Sequence, residues 1–332
     1  SIRGGDPTVP RLEPQQAKDN SLEGGGYRVI HQEIDPVEQS VATHAPPTKS
    51  FSSQQQQQHR LEFYKQHYGY KPPSPRSTKH ENCTQHVSGD WEWFGLNAKE
   101  RSRGNEDRTI YEWFFKDLKE KGTYLELGAF NGVSESNSRF FDECLEWEGL
   151  LIEANPKLKK SILQTRPHPH KLFFAASCVK EDANETIRFV QGSSNGHVAR
   201  SAKAKQDRRA VDVACGPLSP VIETLFNGHI NFFSLDVEGA EAQVLQTVDW
   251  NKVRVDVMIS ESINNHCGYT CTHRSKVRQI MKEAGYLLFV NGVYRSDLFL
   301  HPSVQQRPPQ QYHQGYTDVM QNESSEVWPL PN

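Results

Sequence analysis

At 332 residues and only 35% hydrophobic content, the chain is too polar along its length for all of it to pack into a core, so part of it is expected outside the globular fold. Its 38 basic and 41 acidic residues leave a net charge of -3, which excludes a field selective for nucleic acid or an anionic membrane and points to a small-molecule partner. No apolar run approaches the roughly 18–20 residues that span a bilayer, and the first residues lack the basic-then-apolar order of a signal peptide.

From Ser1 to about Arg76 the chain is rich in Gln, Pro, Gly, Ser and His, with a glutamine run at Gln54–Gln58, and reads as a disordered polar tail, residues 1–76. Within it only Lys65 to Tyr70 suggests a short helix or docking segment. Residues 304–332 are again Pro- and Gln-rich and read as a second tail. Between them, over residues 85–303, helical and strand patterns alternate, which predicts a doubly wound, Rossmann-like α/β fold with a mostly parallel sheet.

The first helix of this core is expected from Glu106 to Lys119, capped by Asn105, with Ile110, Trp113, Phe114 and Leu118 on one face and Gly122 as its stop. The strand Tyr124–Leu127 follows and runs into the turn Gly128-Ala129-Phe130-Asn131-Gly132. Phe140, Phe141, Cys144 and Leu145 mark a second helix, Gly149–Ile152 a second buried strand, and Asn155-Pro156 the start of a third helix. Leu172–Ala175 is a third strand. Thr186–Val190 and Ala210–Val213 flank a polar loop and interrupt the alternation, forming a candidate substrate-facing insertion. Ile230–Leu235 and Val255–Ile259 are further buried strands, Thr272 caps a helix closed by Gly285, and Tyr286–Val290 with Val293–Leu300 form an antiparallel hairpin turning at Asn291-Gly292.

Gly128 and Gly132 follow a strand and open a helix, so backbone N–H groups there can approach a nucleotide-like ligand. The spacing, E-L-G-A-F-N-G, is not the G-x-G-x-x-G of a dinucleotide site. Glu126, just before the first glycine, is poorly placed for a pyrophosphate and well placed for the cationic amino and sulfonium groups of S-adenosyl-L-methionine. Glu153, 27 residues further on at the end of the second strand, stands where a carboxylate accepts ribose hydroxyls.

The segments ELGAFNG, LLIEANP (Leu150–Pro156) and FFSLDVEGAE (Phe232–Glu241) together resemble the FkbM-type methyltransferase family over roughly residues 120–300. Glu126 and Phe130 stand where that family more often has Asp and Asn. The resemblance implies a class I methyltransferase sheet ending in an antiparallel hairpin, S-adenosyl-L-methionine as methyl donor, and O-methylation of a carbohydrate, glycolipid or natural-product-like acceptor. The expected cofactor contacts are Glu126, Gly128, Ala129, Phe130, Asn131, Gly132, Glu153, Ser177 and Asp236.

Methyl transfer to a hydroxyl asks for in-line positioning and a base near the carboxyl ends of the strands. Asp236, Glu238, Glu261 and His266 are the catalytic candidates. Glu238 reads equally as a helix cap and Glu261 as a partner of an arginine such as Arg274. The basic stretch Arg200–Arg209 reads as a solvated loop or as a site for an anionic acceptor, with Asn195, Gly196 and His197 before it as a candidate lid. His266, Cys267, Cys271 and His273 are too cramped for a convincing zinc site, so no metal is expected. A methyltransferase-like binding or trafficking module, or methylation of a protein or small amine, are the competing readings.

The six cysteines are too few for a disulfide scaffold and fit a reducing or an oxidising compartment, although a Cys267–Cys271 bridge is conceivable. The first residue is Ser1, so a removed anchor or targeting segment stays open, and with it a cytoplasmic or a secretory (Golgi) location. Sequons at Asn82, Asn184 and Asn322 become glycosylation sites only in a secretory lumen.

Overall fold

The computed structural model describes residues 52–76, 83–85, 91–92, 102–262 and 272–309. In chain order these give α1 (Ser53–His67), β1 (Thr84–Gln85), β2 (Trp91–Glu92), α2 (Glu106–Ile110), a π-helical turn (Tyr111–Phe115), β3 (Thr123–Leu127), α3 (Arg139–Glu143), β4 (Glu148–Ile152), α4 (Lys159–Thr165) and β5 (His170–Leu172). Then follow β6 (Thr186–Val190), β7 (His197–Val198), α5 (Ala202–Lys205), β8 (Ala210–Ala214), α6 (Ser219–Phe226), β9 (His229–Leu235), α7 (Glu241–Leu245), β10 (Arg254–Glu261), α8 (Thr272–Glu283), β11 (Leu287–Val293) and β12 (Ser296–Leu300).

Seven strands form one sheet in the order β11-β12-β10-β9-β3-β4-β5. β3 pairs parallel with both β4 and β9, and β12 alone runs antiparallel, between β10 and β11. This is the Rossmann-like sheet with a terminal hairpin expected from the sequence. The strands are apolar on both faces because both are covered: Leu125, Ile152, Phe233 and Met258 pack into one core, Tyr124, Leu151, Phe232 and Val257 into the other. The chain leaves β3 in one direction to β4 and reaches β9 on the other side, so the carboxyl ends of β3, β4 and β9 frame the crevice where such sheets bind ligands. The expected insertion is a separate sheet, β7-β6-β8, joined to the main chain path by a bridge between Ala175 and Cys215.

Several boundaries differ from expectation, each for a local reason. Residues 52–76 do not behave as a polar tail. Ser52 and Gln55 form a capping box at the start of α1, and Tyr64, Tyr68 and Tyr70 are buried in the core. Tyr68 stacks on Phe174 with ring centroids 4.2 Å apart, and the Tyr64 hydroxyl donates to Glu181 at 3.0 Å. The glutamine run before these aromatics, and Lys65, Gln66 and His67 between the first two, lower the local hydropathy and conceal them.

The helix expected over Glu106–Lys119 ends sooner. Ser102, not Asn105, accepts the Glu106 amide at 2.7 Å, the last turn widens to a π-helix at Tyr111–Phe115, and Leu118 is 44% exposed. The hairpin turns at Tyr294-Arg295. β11 runs through Asn291-Gly292 as an irregularity in register, held where the Asn291 amide donates to Asp297 at 3.0 Å.

Two disulfides, Cys83–Cys144 and Cys178–Cys215, were not foreseen. The second spans 37 residues of sequence and fastens the segment after β5 to the end of β8. Cys178→Ser is therefore expected to cost about 2–4 kcal/mol by freeing the unfolded chain. Urea unfolding of the variant and the parent, with and without reductant, checks this: reductant should lower the parent's midpoint and shift the variant's less.

Candidate functional site

The turn after β3 is shaped by steric and hydrogen-bond constraints that the sequence fixes locally. Gly128 sits at φ +92° with its amide donating to the Ile152 carbonyl at 3.0 Å, and the Asp236 amide donates to the Leu127 carbonyl at 3.0 Å. A Cβ on Gly128 would lie 1.7 Å from the Asp236 carbonyl oxygen. Gly128→Ala is accordingly expected to push the β9 end away from β3, with loss of cofactor binding and a lower melting temperature, both measurable on one purified sample. Gly132, at φ +83°, faces the other way: a Cβ there would meet Thr165 and Arg166, so this glycine seats the loop on α4.

The loop that follows is organised by buried polar groups. Asn131 Oδ1 accepts the Val133 and Ser134 amides at 2.9 and 2.8 Å. Glu126 accepts from the Ser136 hydroxyl at 2.7 Å, the Asn137 amide at 2.8 Å and the Ser138 hydroxyl at 2.6 Å. Arg166, fully buried, donates to Asp142 at 2.6 Å, to the Gly132 carbonyl at 3.0 Å, and to Ser136, Tyr124 and Ser138 at 3.1, 3.0 and 3.2 Å. Burial disfavours the Asp142 charge, but Arg166 and Arg76 overcome this and hold its carboxyl below the usual carboxylate range.

Above this platform lies a cavity of about 260 Å³ at the carboxyl ends of the strands. Glu126, Gly128, Ala129, Phe130, Glu153, Ser177, Asp236, Glu238 and Glu261 all line it, so most of the expected residues converge. Asn131 and Gly132 do not line it; they shape the loop from behind. His266, Cys267 and Cys271 lie outside the described residues, as does the side chain of His273.

Glu153, at the end of β4, is buried. Its carboxylate accepts the Phe130 amide at 2.9 Å and the Asn155 amide at 2.7 Å, and burial outweighs these bonds and pushes its pKa up to about 7. Asp236 is exposed where it opens to the cavity, although protein atoms crowd around its carboxyl. The protein packed around that carboxyl, then the neighbouring carboxylates of Glu261, Glu241 and Glu238, raise it above the ordinary value. Oxygens of Asp236, Glu241 and Glu261 lie within 4.8 Å of one another.

The roles of these acids separate cleanly. Glu241, not Glu238, caps the turn, accepting the Val237 and Gly239 amides at 3.0 Å each. Glu238 is left in the left-handed region at φ +52°, with burial and then Glu241 raising its carboxyl. Glu261 lies 3.7 Å from the guanidinium of Arg295, which lines the cavity beside it.

The segment read as a candidate lid joins β6 to β7 in the small sheet. Ser193, Ser194, Asn195, Gly196 and Val198 line the cavity, and Asn155 tethers this segment by donating to the Gly192 carbonyl at 3.0 Å. His197 does not line the cavity, nor does any residue of the basic stretch Arg200–Arg209; Arg209 pairs with Asp207 at 2.8 Å and Arg200 donates to the Glu238 carbonyl at 3.2 Å. Arg103 and Arg295 are the cations at the cavity, and no sequence pattern marked either.

Residues 126–288 match the family model for the methyltransferase FkbM domain. The chain carries a methyltransferase FkbM domain. Among solved structures it is similar to precorrin-6y C5,15-methyltransferase from Geobacter metallireducens, with 10% identity, coverage of 55% of this chain and 71% of that chain, and a TM-score of 0.29. It is also similar to an SAH-bound methyltransferase, PaMTH1, from Podospora anserina, with 13% identity, coverage of 77% and 99%, and a TM-score of 0.31. No curated protein sequence matches the chain.

The FkbM domain is an S-adenosylmethionine-dependent methyltransferase domain, and the cavity fits that cofactor on its own chemistry. Glu153 is a buried acid whose bonds are all to backbone amides, so ribose hydroxyls would supply the further donors that favour its charged form. Gly128 and Ala129 keep the β3 turn low enough for a ligand to lie across it. The acids at the β9 and β10 ends suit a cationic group. Glu126 lines the cavity and also accepts three hydrogen bonds that clasp residues 136–138. Among the described residues no helix is long and apolar enough to cross a membrane.

Proposed function

We propose that this domain methylates a hydroxyl of a carbohydrate, glycolipid or natural-product-like acceptor, with Asp236 as the base. The observation that carries the reading is the Asp236–Glu261 carboxyl pair, whose oxygens meet at the cavity, where the crowding protein and the Glu261 charge raise Asp236 toward the range of a useful general base. The cofactor contacts in this reading are Glu153, the Gly128–Phe130 turn, Ser177 and Asp236.

S-adenosylmethionine, when bound, supplies a methyl carbon on a sulfonium that leaves as a neutral thioether. The acceptor hydroxyl gives its proton to Asp236 as the oxygen lone pair forms the new bond to that carbon. Glu261 and Glu238 keep Asp236 basic by opposing a second charge beside theirs. Asn195 and Gly196 on the lid hold the acceptor in line and exclude water, which is most of what this displacement asks of an enzyme.

Asp236→Asn is expected to lower methyl transfer on the order of 100-fold. The parent's raised carboxyl contributes stability that is fully present below its ordinary value of 3.8 and lost as pH rises through the raised value, so at neutral pH the variant should melt no lower than the parent. Transfer of labelled methyl groups into extracts fractionated by chemical class tests both the base and the acceptor. Label entering only proteins or amines, or undiminished transfer by Asp236→Asn, contradicts the reading. Label entering nothing, from a chain that binds the cofactor, favours a non-catalytic binding module instead.

A further inference from the structure

The two disulfides and one sequon carry an inference that does not depend on the acceptor. All four cysteines among the described residues are paired, Cys83 with Cys144 and Cys178 with Cys215, at Cα separations of 5.1 and 5.5 Å. The partners lie 61 and 37 residues apart in sequence and the two bridges sit in different parts of the fold, so two independent long-range pairings meet bridging geometry. Cys144 and Cys215 are buried, which suits structural bridges rather than reactive thiols. Bridges of this kind persist in oxidising compartments and are rare where glutathione and thioredoxin keep thiols reduced.

The sequon Asn184-Glu185-Thr186 lies in the turn before β6. Asn184 and Thr186 are exposed, as are Asp182 and Ala183 before them. Asp182 accepts the Asn184 amide at 2.8 Å, an Asx turn that sets this segment out from the body of the domain. The Cys215 amide donates to the Glu185 carbonyl at 2.9 Å, so the sequon is one hydrogen bond from the second disulfide. None of its three residues lines the cavity. A surface asparagine in an N-x-T triplet is the acceptor pattern for an N-linked glycan.

From this juxtaposition we infer that the chain matures in an oxidising, glycosylating compartment and carries an N-linked glycan on Asn184. The Asn184 side-chain amide nitrogen bonds to the anomeric carbon of a lipid-linked oligosaccharide as that carbon's bond to the lipid pyrophosphate breaks; the pyrophosphate leaves and the amide gives up one proton to solvent. The glycan projects from the face that also holds Glu181, the partner of Tyr64, and leaves the cavity open.

The test uses the full chain, tagged at its carboxyl end and isolated from the cells that make it. After alkylation without reductant and proteolysis, one half of the digest is treated with peptide-N-glycosidase in heavy-oxygen water. The expected result is an Asn184 peptide that appears only after treatment, as aspartate carrying heavy oxygen, together with linked Cys83/Cys144 and Cys178/Cys215 peptides. Asn184→Gln should remove that modification and leave cofactor binding unchanged. An Asn184 peptide that is mainly unmodified before treatment, or alkylated Cys178 and Cys215, overturns the inference. Neither result bears on whether the domain transfers methyl groups to hydroxyls.

Discussion

Glu153→Ala is expected to weaken S-adenosylhomocysteine binding by at least ~100-fold, because a carboxylate accepting two ribose hydroxyls contributes about 1.5–3 kcal/mol per charge-assisted bond. The same change leaves the Phe130 and Asn155 amides without an acceptor and should cost stability of only about 1–3 kcal/mol, so the folded fraction stays high and the binding loss is read on intact protein. The pH dependence identifies the group. In the cofactor-free protein Glu153 has a raised pKa of about 7, so its contribution to stability is complete below its ordinary value of 4.5 and is lost as pH rises through about 7. The ribose hydroxyls select the ionised form, so affinity should strengthen as pH rises toward 7 and fall by up to ~10-fold per unit below it. Calorimetric titrations across that window should show the slope in the parent and none in Glu153→Ala. An equal slope in both would assign the titration to another group.

Arg166→Ala carries the largest expected effect on stability, about 3–5 kcal/mol, since it removes one partner of a fully buried ion pair. The loss is not confined to Asp142, which retains only Arg76; the Gly132 carbonyl and the Ser136 and Ser138 hydroxyls that hold Glu126 lose their donor as well. A fall in melting temperature on the order of 10 °C is expected, with weakened cofactor binding in whatever fraction stays folded. The depressed Asp142 carboxyl gives stability that is present above its ordinary value of 3.8 and is lost as pH falls through its lower folded value. The difference between parent and Arg166→Ala should therefore narrow only in strong acid. Arg166→Lys should recover little, because a lysine keeps the charge without the fork that reaches five acceptors.

The parts of this fold that could be read from the sequence are those encoded by short-range pattern. β3, the Gly128 turn, Glu153 and Asp236 each follow from a buried strand, a backbone position closed to side chains, or a residue at a strand end, and these constraints act over a few residues. The small sheet was visible as two extended pieces flanking a polar loop.

What could not be read depends on contacts far apart in the chain. Arg166 sits in Gln-Thr-Arg-Pro-His, where nothing local distinguishes it from a solvated helix end, yet it meets Asp142 and Tyr124 from 24 and 42 residues away. Tyr64 and Tyr68 are separated by polar residues, so their burial against Phe174 is invisible until β5 is in place. Glu126 lines the cavity, but the three donors ten to twelve residues ahead that hold its carboxylate have no local mark. The cysteine pairs, 61 and 37 residues apart, follow the same rule.

The most direct test of the whole account is a titration of the intact, cooperatively melting protein with S-adenosylhomocysteine at neutral pH, followed by calorimetry. The account predicts a single site with a micromolar dissociation constant, weakened at least ~100-fold by Glu153→Ala. A parent protein that melts cooperatively but gives no binding heat, and whose melting temperature the ligand does not raise, would contradict it.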